Sequence, residues 1–311
     1  MKLFLLLIFS LFCQYTIAAT EVTKILMIDE PVNSEEPYLL LAESGEAFEL
    51  DQDNLDDIEK AVESTEKNLI VELVLNQNSE TNDLLEIRNS VKQINILPNQ
   101  NPVDTVSNIK ALKRNTIAPI MNSYITNFTS AKRVSSLFNN VMTVKNMRKK
   151  SQCYNRAHVW SWQLNKYYEN GRKIQPGKIW IYFTRKYKRV YGHKWWFHVA
   201  PYVKLNDKEY VLDKRFFDKP VTPGKWANKF MKKLKRDANC TTVDRYSQYK
   251  ANQDYRYCIF MKSSVFYWQP QHLRKAESNG TEKEYWIKRE VRRAYQDAIG
   301  RRATPPRIDE L

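Results

Sequence analysis

Hydrophobic positions along this chain of 311 residues fall into runs of three kinds. At the start, MKLFLLLIFSLFCQYTIAAT carries one lysine, an apolar run and then small residues. That layout predicts a signal peptide over residues 1–19, cleaved after Ala18 or Ala19. The run is too short to span a bilayer, and no later run reaches spanning length. A lipid anchor on Cys13 is the competing reading, but bulky Phe12 stands where small residues are expected. The mature chain is therefore expected outside the cytoplasm, secreted or periplasmic.

Short strand-like runs follow. VTKILMID predicts a strand, and YLLLAESGEAFEL a hairpin turning at Ser44-Gly45. NLDDIEKAVESTEK sets Leu55, Ile58 and Val62 on one face of a short helix opened by acidic residues. NLIVELVL supplies another strand, and DLLEIRNSVKQINIL predicts a helix passing into a strand. After Leu97 the pattern fades: LPNQNPVDTVSN is polar and proline-bearing, and Lys113-Arg114 follows. Residues 98–118 read as a linker open to proteolysis.

Downstream, PIMNSYITNFTSAKRVSSLFNNVMTVKNMRK predicts one or two helices. GKIWIYFT, KWWFHVAPYVKL and KEYVLD are dense in β-branched and aromatic residues and predict strands. The last two flank Asn206-Asp207, a turn signal. WIKREVRRAYQDAIG predicts a basic amphipathic helix. The organisation expected is a small mixed α/β domain over 20–97, the linker, and an α+β domain over 119–311.

Composition supports a globular chain: 42% hydrophobic and 13% aromatic residues suffice for a core despite a mean hydropathy of -0.62. Charge divides it. Thr20 to Lys110 holds 20 acidic and 6 basic residues, whereas Ala111 to Leu311 holds 43 basic and 15 acidic. Two bodies of opposite charge attract and register one another, although two unrelated solvated faces would look the same. The basic part would also suit nucleic acid, with aromatics interleaved in KIWIYFTRKYKRVYGHKWW. No nucleic-acid fold signature accompanies it, and the tract also reads as β-structure with a basic outer face, so nucleic acid is not the expected partner.

Export changes how the cysteines read. Cys13 leaves with the signal peptide, and three remain: Cys153, Cys240 and Cys258. An odd number in an oxidising compartment implies one disulfide and one spare thiol. Cys240 and Cys258 flank a polar loop whose closure is worth about 3 kcal/mol. Cys153 is left free, either as an inert buried thiol or as a reactive one.

Around it runs KKSQCYNRAHVWSWQLNK. Cys153, Ala157, Trp160 and Leu164 share one helical face, with Ser151 and Gln152 at the start. A thiol on a helix's first turn meets unpaired N–H groups and the positive end of the macrodipole, which favour thiolate and can hold an oxyanion. Of four histidines, His158 is expected to point away from Cys153, His272 to lie at the surface, and His193 to sit in a basic loop. His198 lies within the apolar strand. If the Asn206-Asp207 hairpin has an even loop, paired positions sum to 413, His198 faces Arg215, and Asp213 is its diagonal neighbour about 7–8 Å away. Asp213 could then orient the imidazole as the third member of a triad. No close-pair metal spacing and no glycine-rich phosphate loop are present, so neither metal nor cofactor is expected.

These residues resemble the bacterial protein-glutaminases. CYNRAHVWSWQL is similar to that family's nucleophile helix, WWFHVAPYV to its aromatic–His-Val-Ala strand, and YVLDKRFFDKPVTPGKW to the segment that follows. SLFNNV is a weaker match. The resemblance covers roughly Ser136 to Trp226. It implies a transglutaminase-like (papain-like) α+β fold with an antiparallel sheet and an N-terminal nucleophile helix. It also implies a Cys153–His198–Asp213 triad, and a pro-domain bound in cis until a protease cuts the linker. The substrates implied are proteins bearing exposed glutamine, hydrolysed by a monomer to glutamate and ammonia. Lys214-Arg215 and the strongly basic catalytic part depart from the pattern and leave the substrate preference open. A transglutaminase that crosslinks through the same thioester is one rival, and a cysteine protease a weaker one. A non-catalytic binder of envelope or nucleic acid is a rival of another class.

Overall fold

The computed structural model describes residues 19–31, 36–76, 90–97, 124–144, 147, 152–191, 195–231, 238, 240–249, 256–265, 267–279 and 292–300. The expected signal peptide, linker and helix before residue 90 lie outside them. So do His193 and the first part of the C-terminal helix.

The first sheet is six-stranded: β1 (Thr20–Thr23), β2 (Ile25–Asp29), β3 (Tyr38–Ala42), β4 (Ala47–Leu50), β5 (Val71–Leu75) and β6 (Ser90–Ile96), in the order β1-β5-β6-β4-β3-β2. The β3–β4 hairpin turns where expected, with Gly45 at φ +90°. α1 (Leu55–Lys67) is capped by Asn54, whose side chain accepts from the Asp57 N–H. Its buried residues are Asp57, Ala61 and Ser64, and Ile58 packs against the same core as expected, but Leu55 is 69% and Val62 42% exposed. The acidic first turn turns inward because Asp57 is held by Lys60 and Asn54.

The sheet is covered on both sides. Leu40, Ala42, Phe48 and Leu50 pack with Ala61 of α1, while Leu39, Leu41, Leu26 and Ala47 pack with residues of the second body. An uninterrupted YLLLA is what a strand buried on both faces requires.

The second body begins with β7 (Asn127–Phe128) and α2 (Ala131–Ser136), which runs into a π-helical turn, Leu137–Val141. α3 (Cys153–Asn165) and the small hairpin β8 (Tyr168–Glu169) and β9 (Arg172–Lys173) follow. The second sheet comprises β10 (Gly177–Phe183), β11 (Phe197–Leu205), β12 (Lys208–Val211), β13 (Thr241–Val243) and β14 (Cys258–Ser264), ordered β12-β11-β10-β14-β13, with β7 beside β11. Its centre is antiparallel as expected, but β7 pairs β11, and β13 pairs β14, in parallel. Every residue of β10 is buried: Trp180 and Tyr182 face α3 and the first sheet, whereas Ile179, Ile181 and Phe183 face α5 (Pro223–Phe230).

RKYKRVY is α4 (Arg185–Tyr191) and not a strand, so the expected basic β-face is instead a basic helix. Tyr187 and Tyr191, one turn apart, stack at 4.6 Å and anchor it. α6 (Pro270–Asn279) and α7 (residues 292–299) close the fold, the latter burying Ala294 and Ala298. Cys240 and Cys258 form the expected disulfide, and Cys153 is free. Among the described residues no helix is long and apolar enough to cross a membrane.

Candidate active site

Cys153 is the first residue of α3, with Gln152 in extended conformation before it. The first N–H groups of a helix have no partner within it, so the sulfur stands beside free donors. The helix is held by an almost fully buried surround, and only its first turn leaves the sulfur half-buried.

β11 carries His198. The hairpin at Asn206-Asp207 has φ +48° and +62° at its two central residues, and the ladder pairs Tyr202 with Val211 and Leu205 with Lys208. That is the even-loop register. The ladder stops at Val211, however. Leu212 N–H still donates to Pro201 O, and then the chain turns, with the Asp213 carbonyl accepting from Phe216 and Phe217. Arg215 thus does not face His198 in a strand pair as expected. The turn brings Asp213 closer than a diagonal neighbour would stand: His198 Nε2 to Asp213 Oδ2 is 2.7 Å, both groups fully buried.

Nε2 is committed to Asp213, whereas Nδ1 is buried with no hydrogen-bond partner among the described residues, and the Cys153 sulfur acts on the ring through its charge. Burial opposes charge on His198, but the Asp213 carboxylate and the Cys153 sulfur outweigh it and the pKa is pushed up to about 9. Asp213 is lowered: burial acts to raise it, and the charge and hydrogen bonds of His198, with the Trp226 hydrogen bond and Arg156, prevail.

Aromatic rings wall the imidazole. Trp195 lies nearly parallel to it at 6.4 Å, Phe216 stands edge-on at 5.2 Å, and Trp226 and Phe230 sit at 5.6 and 5.1 Å. Trp226 also donates Nε1–H to Asp213 Oδ2 at 2.9 Å, and the Arg215 N–H donates to Oδ1 at 3.2 Å. Arg156, a turn along α3 from Cys153, is buried, and its charge acts on both Cys153 and Asp213. Sequence reasoning assigned roles to neither Trp226 nor Arg156. Thr222-Pro223, a cap followed by proline at N1, would have placed α5 and so the indole.

The other histidines stand apart. His158 is buried behind Cys153, with Nδ1 2.6 Å from the Nζ of fully buried Lys178. His272 is buried, not at the surface as expected, and its Nδ1 accepts from Gln269 N–H. No cluster of metal-ligating side chains occurs among the described residues.

The first sheet lies against this site. Trp196 N–H donates to Gly45 O at 2.9 Å and its indole to Ala42 O at 3.0 Å, and Glu46 bridges Trp195. A methyl group on Gly45 would stand 3.4 Å from the Phe197 ring. The hairpin turn therefore sits on the residues leading into His198.

Residues 128–230 match the family model described as glutaminase. This matched stretch contains Cys153, His198 and Asp213. No curated protein matches the chain. Among solved structures, a pro-protein-glutaminase is similar at 14% identity, covering 93% of this chain and 97% of its own, with a TM-score of 0.47. The A47Q2 mutant of a pro-protein-glutaminase has 17% identity, covering 80% and 83%, with a TM-score of 0.45. The protein-glutaminase of Chryseobacterium proteolyticum has 13% identity, covering 60% and 99%, with a TM-score of 0.35.

Proposed function

We propose that this chain is the secreted precursor of a protein-glutaminase, an enzyme that hydrolyses the side-chain amide of protein-bound glutamine to glutamate and ammonia. The observation that carries it is the buried His198–Asp213 pair facing the Cys153 sulfur inside the stretch that matches the glutaminase family.

The Cys153 thiolate attacks the amide carbon, and the N–H groups at the start of α3 hold the oxyanion. The C–N bond breaks as the His198 imidazolium gives its proton to the departing ammonia, leaving a thioester on Cys153. His198, now neutral, takes a proton from water, whose oxygen attacks the thioester. The C–S bond breaks, glutamate is released, and the thiolate–imidazolium pair is restored. Asp213 keeps the ring oriented and stabilises its charged form, and Trp226 fixes Asp213.

Residues 20–97 act as the pro-domain of a transglutaminase-like catalytic domain over 119–311, with processing within 98–118. The 43–46 turn against Trp195 and Trp196 blocks the approach to the site until that cut. Limited proteolysis should produce ammonia release from a glutamine-containing protein, without crosslinking. Full activity in the uncut chain would defeat the pro-domain reading. Ammonia release undiminished in Cys153→Ala would defeat the catalytic one.

A further inference from the structure

Three cations of α4, Arg185, Lys188 and Arg189, lie on one helical face at i, i+3 and i+4. The acidic sheet buries Arg185, whereas Arg189 at its edge stays 60% exposed. Arg185 Nε donates to Asp29 Oδ2 at 2.6 Å, Nη2 donates to the carbonyls of Asp29 and Glu30 at 2.8 and 3.1 Å, and Nη1 donates to Pro37 O at 3.0 Å. Glu36 stands 3.5 Å from Arg185 and 3.7 Å from Arg189. The Lys188 stem is half-buried, but its Nζ is enclosed and has no hydrogen-bond partner among the described residues. Burial pulls its pKa to about 7, with Asp29 and Glu49 acting to raise it and Arg185 to lower it.

A buried amine with no hydrogen-bond partner is a cost that the contacts of this fold do not offset. The contact is also wider than its charges. The same sheet face lays Leu26, Leu39, Leu41 and Ala47 over Trp196 and Phe197. Departure of the sheet would therefore bare an aromatic floor with a basic rim. That rim is close to the chemistry: Phe183, just before α4, donates its N–H to Trp196 O, and Trp196 is two residues from His198. Strand spacings put α4 on the order of 10 Å from the imidazole. What occupies the rim in cis is a peptide, held through carboxylates and backbone carbonyls together, which a guanidinium fork suits.

We infer that Arg185, Lys188 and Arg189 form a docking site for acidic segments of protein substrates, presenting a nearby glutamine to Cys153, and that Asp29 and Glu36 hold this site in cis before processing. The inference rests on the glutaminase reading for the word substrate, but the site itself can be tested by binding alone.

The test uses the full chain carrying Cys153→Ala, cut within 98–118. The probes are a fluorescein-labelled glutamine peptide flanked by glutamates and the same peptide with serines in their place, read by anisotropy. The glutamate peptide should bind about tenfold more tightly, with most of the preference lost in about 0.5 M salt. Arg185→Gln/Arg189→Gln should remove the preference. Lys188→Gln, which breaks no hydrogen bond seen in the structure, should reduce it in a chain whose folding is intact. Equal binding of the two peptides, binding of neither, or an undiminished preference in both variants would overturn the site. So would tighter binding of a thymidine oligonucleotide of the same charge. Ammonia release by the cut chain with Cys153 present is read separately. Its absence beside retained glutamate preference would refute the glutaminase reading and leave the docking site standing.

Discussion

Trp226 donates its indole N–H to Asp213 Oδ2 at 2.9 Å, the same oxygen that holds His198 Nε2. A buried carboxylate accepting from an indole, a ring nitrogen and the Arg215 N–H has little freedom to swing away from the histidine. Trp226→Phe keeps an aromatic ring and loses the donor. It should cost about 1–3 kcal/mol in stability and lower kcat by roughly tenfold, whereas Asp213→Ala should abolish turnover. Urea denaturation and steady-state ammonia release measure the two effects separately.

His198 gives a pH dependence with a defined sign. Its folded pKa, about 9, lies above its unfolded value near 6.5. The stability it contributes is therefore full below about 6.5 and is lost as pH rises through about 9, a change on the order of 3 kcal/mol. Lys178 and Lys188 are lowered by burial and act in the opposite sense, so total stability is a poor readout. The difference between wild type and His198→Gln isolates it and should shrink from pH 6 to pH 9.5. In the proposed mechanism kcat/KM should also fall above about pH 9, as the imidazolium needed for the departing ammonia disappears.

The Cys240–Cys258 disulfide joins the first residue of β14 to a position 18 residues earlier, and Cys258 is fully buried. Replacing both cysteines with serine should cost about 3 kcal/mol, with a lower Tm and unchanged activity per folded molecule at low temperature. Scanning calorimetry with active-site titration checks both parts. Loss of activity at full folding would show that the bridge does more than staple.

Gly45 combines a positive φ with contact against Phe197. Gly45→Ala should strain the turn by about 1 kcal/mol and push it off the residues leading to His198. The uncut chain should then leak activity and be cut faster. An uncut Gly45→Ala chain as silent as wild type would place the block elsewhere.

Much of this geometry was readable where local chemistry decides it. Asn206 and Asp207 tolerate positive φ, so the place of the hairpin followed from two residues, while the choice between an even and an odd loop stayed open until the Tyr202–Val211 pairing decided it. The place of Cys153 followed from a polar start and a helical apolar face. What escaped the sequence depended on distant partners. The ladder's end at Val211 hangs on a turn whose bonds are made by Asp213 itself, so Arg215 was misplaced. Leu55 and Val62 looked like a buried face, but the sheet accepts the small residues Ala61 and Ser64 instead. RKYKRVY alternates enough to imitate a strand, and only the Tyr187–Tyr191 spacing betrays the helix. YLLLA carried a signal that went unused: a run apolar at every position announces a second layer, here the body bearing the site.

The most direct measurement is intact-mass and peptide mass spectrometry of the cut chain, quenched in acid during turnover of a glutamine peptide. The chain should gain the mass of the peptide less ammonia, on the Cys153 fragment alone, and Cys153→Ala should show no adduct. Ammonia release with no adduct on Cys153, or an adduct on any other residue, would contradict the account.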